Sequence, residues 1–278
     1  MRDLLKAASV LYGHLFLPPP PTEAISILMY HRVVGDLNME LDLPLGVFSR
    51  QMAWLAQSGA VISYDDAVQA LTEGVLEAKL KYVLTFDDAY EDFYTLAWPV
   101  LKKYGLPATL FVPTRFIDEP DQLPLAERWI PKAGNKMKPM TWDQLREVAA
   151  DPLITIGLHT HSHPNLLKLS DEDIAKEITL NSDRLSAELG FSPVHFAYPM
   201  GFYDARVQRV AQDHCQSATI IGGDLATSAN TSRYEVPRIP VRRSDGWFWF
   251  QQRVSGRLIG EEHFIMFVKR LLGKQNGY

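Results

Sequence analysis

Two residue sets in this chain have the types and spacing that chemistry requires. GLHTHSHPNL (157–166) places histidines at 159, 161 and 163, and YVLTFDDAYEDFY (82–94) places Asp87 beside Asp88. Neutral imidazole suits Zn²⁺ and similar borderline cations, and a catalytic site of that kind uses three protein ligands and keeps a position for water. In a fully extended chain the three histidines would share one side. Pro164 and Asn165 instead mark a turn, which folds His159 and His163 inward and sends His161 elsewhere. A carboxylate from Asp87 or Asp88 is the natural third ligand. Adjacent carboxylates repel, but a dication holds one of them and screens the other, leaving the free one to take a proton from water. Each set also has a plainer interpretation. The aspartates could cap a helix and face the positive end of its dipole, and the histidines could decorate a solvated loop.

The elements around them favour the chemical interpretation. Short runs rich in β-branched and aromatic residues predict strands at 24–31, 81–86, 108–113, 153–159, 194–199, 217–221 and 236–241. Amphipathic stretches predict helices at 47–58, 65–73, 91–104, 141–150, 171–190 and 204–214. Recurrent strand–helix order means parallel strands joined by helical crossovers, and seven strands suggest an irregular α/β barrel. Reacting groups in such a barrel gather where strands end. His31, Asp87, Asp88, His159 and the YPMG turn (198–201) all occupy such ends and converge on one rim. The turn adds backbone N–H groups that can face a developing oxyanion.

Composition narrows the rest. The 278 residues are 46% hydrophobic and 22% charged, as expected of a globular chain with a substantial core. Lys and Arg total 28 against 33 Asp and Glu, a net charge of −5 with no basic stripe among aromatics, which argues against nucleic acid. The single cysteine, Cys215, forms no internal disulfide and favours a reducing compartment. Residues 1–22 read as an amphipathic arm ending in four prolines, capable of weak membrane-surface association, with 23–278 as one barrel domain. With no convincing signal peptide and no run long enough to span a bilayer, the expected location is cytoplasmic or peripheral to the membrane. Residues 118–140 read as a long surface excursion; Trp129 and Trp142 flank it, and the aromatics at 247–250 read as core or barrel closure.

LTFDDAY, HTHSHPNL and FAYPMG, in this order, resemble the first three motifs of the polysaccharide deacetylase family, also called carbohydrate esterase family 4 or the NodB homology domain. ILMYHRV, LPATLFV and VPRIPV resemble its poly-N-acetylglucosamine deacetylase branch, so the likeness runs over about residues 25–242. The resemblance implies a deformed (β/α)7 barrel. It also implies Asp87 as general base, Asp88, His159 and His163 as ligands of a divalent metal, Zn first with Co, Ni or Fe as alternatives, and the Met200 N–H at the oxyanion. The implied reaction removes N-acetyl groups from an amino-sugar polysaccharide and releases acetate. A lipid-linked or small amino sugar would suit the same triad, and a glycan-binding protein without turnover is the reading from a different class.

The chain also departs from the family pattern. Ala197 stands where the family carries an Arg that orients the base, and Ala89 stands where Gly usually follows the aspartates. The late Leu-x-x-His motif that supplies the general acid is missing, since the only histidine beyond 242 is His263. His31 is therefore the candidate acid, and Arg238 the candidate substitute for the absent Arg, with a surface salt bridge as its plainer role.

Overall fold

The computed structural model describes residues 6–7, 20–120, 137–258 and 261. Most of the arm assigned to 1–22, residues 121–136 of the excursion with Trp129, and His263 lie outside the described residues. Seven parallel strands close into a barrel in chain order: β1 (Ile25–Tyr30), β2 (Lys81–Asp87), β3 (Ala108–Val112), β4 (Ile154–Leu158), β5 (His195–Ala197), β6 (Ser217–Ile221) and β7 (Val236–Pro240). This is the (β/α)7 barrel expected from the sequence. Its deformation lies in uneven ladders: β1 and β2 pair over six positions, whereas β4 meets β5 only at Leu158–Phe196. β1 meets β7 only at Leu28–Ile239 and Met29–Pro240, the latter a residue with no N–H to donate.

Alternation along the strands sorts side chains into two layers. Leu28, Tyr30, Leu84, Phe86, Leu110, Ile156, Leu158 and Phe196 pack outward under the helices. The opposite parity faces the axis, where Arg238 of β7 reaches Asp87 of β2 and stacks over Phe111 of β3, strands that are not its neighbours.

The surrounding helices are α1 (Leu45–Ser58), α2 (Tyr64–Glu73), α3 (Trp98–Tyr104), α4 (Thr114–Asp118), α5 (Trp142–Ala149), α6 (Asp171–Leu189), α7 (Ala205–Gln212) and α8 (Gly246–Val254). The stretch expected as one helix at 91–104 is helical throughout, with a π-helical turn, Phe93–Ala97, running into α3. Pro99, two residues beyond Ala97, lacks the N–H that would continue the tighter bonding pattern. Helix α2 closes the amino end of the barrel: Tyr64, Ala67, Val68 and Leu71 pack on Ile25, Ile27, Val83 and Val236, and Asp65 accepts from Thr155 and pairs with His195. Of the aromatics at 247–250, Phe250 is buried against Trp54, while Phe248 is 59% exposed, so core packing claims only part of that run. No helix among the described residues is long and apolar enough to cross a membrane.

With the amino end plugged, the carboxyl end is the open one. Its interior filling depends on Gly157 of β4, where a Cβ would lie 2.4 Å from Phe111 Cδ1 and 3.2 Å from the His195 carbonyl. Phe111 cannot swing away, because Tyr64 holds its ring from one side and the Arg238 guanidinium from another. Gly157→Ala is expected to destabilise the fold by about 1–3 kcal/mol, the range for overpacking a filled interior. A urea midpoint equal to that of the parent would refute the close packing claimed for this layer.

Candidate active site

β2 delivers Asp87 to the rim with its side chain on the axial face, and the chain then turns sharply. Asp88 (φ 72°) and Ala89 (φ 51°) both adopt the left-handed conformation. Met140 N–H donates to the Ala89 carbonyl and Glu91 N–H to the Lys138 carbonyl, which pins the turn. β4 delivers His159, and the loop after it carries Thr160 (φ 63°) and His163 (φ 54°). The turn after β5 carries Met200 (φ 56°). Among the described residues, every non-glycine with positive φ lies in one of these three loops. Such a conformation costs about 1–2 kcal/mol at a residue with a Cβ, so it persists only where the surroundings enforce it.

The loops bring Asp88, His159 and His163 together. Asp88 Oδ1 lies 3.6 Å from His159 Nε2 and 3.6 Å from His163 Nε2, and one donor atom from each residue falls within 4.8 Å of the others. His159 Nδ1 is 2.8 Å from the Ala197 carbonyl. A carbonyl only accepts, so the proton sits on Nδ1 and the Nε2 lone pair faces Asp88. Burial pushes the pKa of His159 down and that of His163 well down, keeping both imidazoles neutral. Asp88 Oδ1 is buried without a hydrogen-bond partner. Burial, with Asp87 adding to it, raises the Asp88 carboxyl to about 8.

This donor set fits a divalent cation. Two neutral imidazole nitrogens and a carboxylate oxygen are typical zinc ligands, and a tetrahedral shell at about 2.0–2.2 Å puts neighbouring donors roughly 3.3–3.6 Å apart. The orphaned Asp88 oxygen is what a cation would satisfy. His161 stands apart, its Nδ1 2.9 Å from Thr114 Oγ1. That is the inward–outward split expected from the turn at Pro164.

Asp87 is held quite differently. Arg238, with no exposed surface, donates to both of its oxygens, Nη1 to Oδ1 at 2.6 Å and Nη2 to Oδ2 at 2.8 Å. Burial alone would raise the Asp87 pKa; Arg238, with His159 and His31 adding to it, outweighs burial and brings it to about 2. The interaction is a buried bidentate pair and not the surface salt bridge that was the plainer expectation. His31 Nε2 lies 4.0 Å from Asp87 Oδ2, and burial lowers its pKa from 6.5 to about 4. His31, Asp87, Asp88, His159 and His163 line a cavity of about 430 Å³ with Met200, Asn38 and Glu40, and with apolar walls from Met29, Met39, Leu41, Met137 and Ile221.

Sequence reading missed the support behind the histidine loop. Asn181 of α6 is fully buried and accepts from the His159 N–H at 2.9 Å. The signal was available, because Asn181 interrupts the buried stripe of Ile174, Ile178 and Leu185 with a polar side chain.

The polysaccharide deacetylase family model matches residues 77–217, just over half of the 278. YxkH of Bacillus subtilis (strain 168), a protein named for the same family, is 26% identical over 218 residues, spanning 78% of this chain and 71% of that one. The poly-beta-1,6-N-acetyl-D-glucosamine N-deacetylase of Escherichia coli (strain K12) is 28% identical over 153 residues, 52% of this chain but only 22% of its own length. Among solved structures, IcaB from Ammonifex degensii superposes with a TM-score of 0.70 at 22% identity, covering 85% of this chain and 97% of that one. The Streptococcus pyogenes deacetylase PplD, solved in complex with acetate, gives 0.68 at 24%, covering 85% and 99%. Barrel, motif order and family match agree: the chain belongs to the polysaccharide deacetylase family and is an enzyme of that deacetylase class.

Proposed function

We propose that this protein is a metal-dependent hydrolase that removes N-acetyl groups from an amino-sugar polysaccharide and releases acetate. One observation carries the reading: a three-donor site, Asp88–His159–His163, sits beside a second buried carboxylate, Asp87, that takes no part in it. Bound by the three donors, a divalent cation supplies Lewis-acid polarisation of the amide carbonyl under attack. The names of the poly-N-acetylglucosamine deacetylases among its relatives support the choice of substrate.

In amide hydrolysis a water oxygen bonds to the acetyl carbon, the C–N bond breaks, and a proton must reach nitrogen because an amide anion leaves poorly. Asp87, with a pKa of about 2, is ionised at every working pH. Each of its oxygens is engaged once by Arg238, which leaves lone pairs to accept the attacking water's proton. So acidic a carboxyl gives the proton up readily. His31, neutral above about pH 4, cannot start as the acid; it carries the proton to the leaving amine after receiving it from Asp87. Met200 lines the cavity, and its backbone N–H is the group assigned to the oxyanion; the apolar methionine walls limit access of bulk water.

Purified protein is expected to retain close to one divalent ion per chain by elemental mass spectrometry, and to release acetate from N-acetylglucosamine oligomers. Asp88→Asn and His163→Ala should each lose the ion and the activity together, and chelation followed by metal return should abolish and restore acetate release. Ion retained with no acetate from any N-acetyl sugar would leave a glycan binder instead.

Arg238→Lys keeps the charge but loses the fork. Asp87 would then lie closer to the raised pKa that burial favours, so the acid limb of kcat should move upward by roughly one pH unit. Stability follows the same sign. The Asp87 contribution is complete above its unfolded pKa near 3.8 and is lost as pH falls towards 2, so the variant should unfold at higher pH on acid titration. An unchanged profile would exclude Arg238 as the residue that tunes the base.

His31→Asn should lower kcat by about 10²-fold or more and alter the pH dependence of stability in metal-free protein. Because the folded pKa of His31 lies below its ordinary 6.5, the unfolded chain gains a proton first as pH drops, and the folded state loses stability between about 6.5 and 4. The variant lacks this loss. Its urea midpoint relative to the parent should therefore rise from pH 7 to pH 5, and a constant difference would show that His31 is not held neutral.

A further inference from the structure

His159 and His163 belong to a short segment that leaves the barrel before the Leu166–Lys168 turn, with left-handed backbone at Thr160 and at His163 itself. Within the segment, Thr160 Oγ1 donates to the His159 carbonyl at 2.6 Å and accepts the His163 N–H at 3.0 Å. That contact fixes the two histidines relative to each other but not relative to Asp88, which comes from β2. The external hold comes from one face of α6.

Glu177 and Asn181 are one helical turn apart and project to the same side. Asn181 Oδ1 accepts the His159 N–H at 2.9 Å, and its Nδ2 donates to the Val112 carbonyl at 2.9 Å and to Thr114 Oγ1 at 3.2 Å. Thr114 in turn meets His161 Nδ1. The Glu177 carbonyl accepts the His161 N–H at 3.0 Å, and its carboxylate accepts both the N–H and the hydroxyl of Ser162, at 2.8 and 2.7 Å. The amides of 159, 161 and 162 therefore end on these two residues. Through Val112, Asn181 also locks the loop to the end of β3, the strand beside β2.

We propose that Asn181 and Glu177 are positioning residues that set the placement of His159 and His163 against Asp88, and so determine the affinity of the site for a divalent cation. The proposal rests on the metal reading of the triad. Neither residue lines the cavity. Asn is needed at 181 because the position must accept from one backbone and donate to another, which Asp and Leu cannot both do. At 177 a side chain with two acceptors is needed, and Gln retains one of them.

The test uses the full chain and Co²⁺ as probe, with affinity read by calorimetry and ligand geometry by the visible absorption of the bound ion. Asn181→Ala and Glu177→Ala should each weaken Co²⁺ binding by about 10- to 100-fold, as loss of the groups that orient metal ligands does, and should change the absorption envelope. Glu177→Gln should recover most of the loss. Ile178→Val, on the same helix between them and fully buried, removes core volume while leaving every hydrogen bond to the loop in place; it should bind Co²⁺ as the parent does. Hydrogen exchange should quicken at the amide of 159 in Asn181→Ala and at that of 162 in Glu177→Ala, a readout that needs no metal. If Asn181→Ala folds poorly, the Glu177 pair carries the test. Parent-like affinity and spectrum in the alanine variants would overturn this inference and leave the metal reading standing. A parent that binds no Co²⁺ would overturn the metal reading, and the inference with it.

Discussion

Asp87 and Asp88 are neighbours in sequence, both almost fully buried, and hold like charges in a place where water cannot screen them. The site depends on resolving that repulsion in two different ways. Asp87 points along the barrel axis and is neutralised by a permanent guanidinium, so it stays ionised. Asp88 turns out of the strand line through left-handed backbone and meets two neutral imidazoles, so it has no permanent counter-charge and its pKa climbs to about 8. A dication at the triad would supply the missing positive charge. In the proposed mechanism one carboxylate is thereby kept for proton transfer and the other for coordination, with environment alone separating the roles of chemically identical side chains.

The second solution requires backbone that a relaxed chain would avoid. The left-handed residues Asp88, Ala89, Thr160, His163 and Met200 all lie at the carboxyl rim. Their combined cost of several kcal/mol is borne by the ladders and helix contacts beneath them. Ala89 is instructive. Family members usually have glycine there, which accepts φ 51° without steric cost, whereas this chain holds an alanine in place with the Met140 and Glu91 amide bonds to either side. Rigidity at the rim is consistent with a site whose donors must be separated by 3.6 Å before any cation arrives.

Much of this could be read from sequence because it depends on local pattern. Strand positions follow from β-branched runs, the rim location of Asp87 and His159 from the ends of those runs, and the division of His159 and His163 from His161 from the proline that follows. What escaped was non-local or depended on a single residue. The π-helical turn at Phe93–Ala97 comes from Pro99 inside an otherwise regular amphipathic pattern. Helix α4 is only five residues long, too short for periodicity to register. Asn181 was visible as a polar break in an apolar stripe, yet nothing in the sequence says which backbone amide, twenty-two residues away, it would meet. The burial of Arg238 could not be read at all, since a lone arginine between prolines on a strand is compatible with an edge or an axis.

That arginine shows why the departure at position 197 need not disable the site. Inward-facing positions from every strand of a closed barrel converge on one axis, so a guanidinium can approach the same carboxylate from different strands provided the path is open. Here the position after Phe196 is alanine, whose small side chain packs in the interior beside Phe111 while its carbonyl orients His159. An arginine at 197 and another at 238 would bring two guanidinium groups to one carboxylate, leaving a positive charge buried without a partner. Ala197 and Arg238 are therefore better understood as a matched pair: the small residue on β5 leaves the axis free, and the long one on β7 crosses it over the face of Phe111 to reach both oxygens of Asp87. Because Gly157 makes room for that ring, the orientation of the Asp87 carboxylate rests on four residues from four strands, of which Arg238 is the one that hydrogen-bonds it.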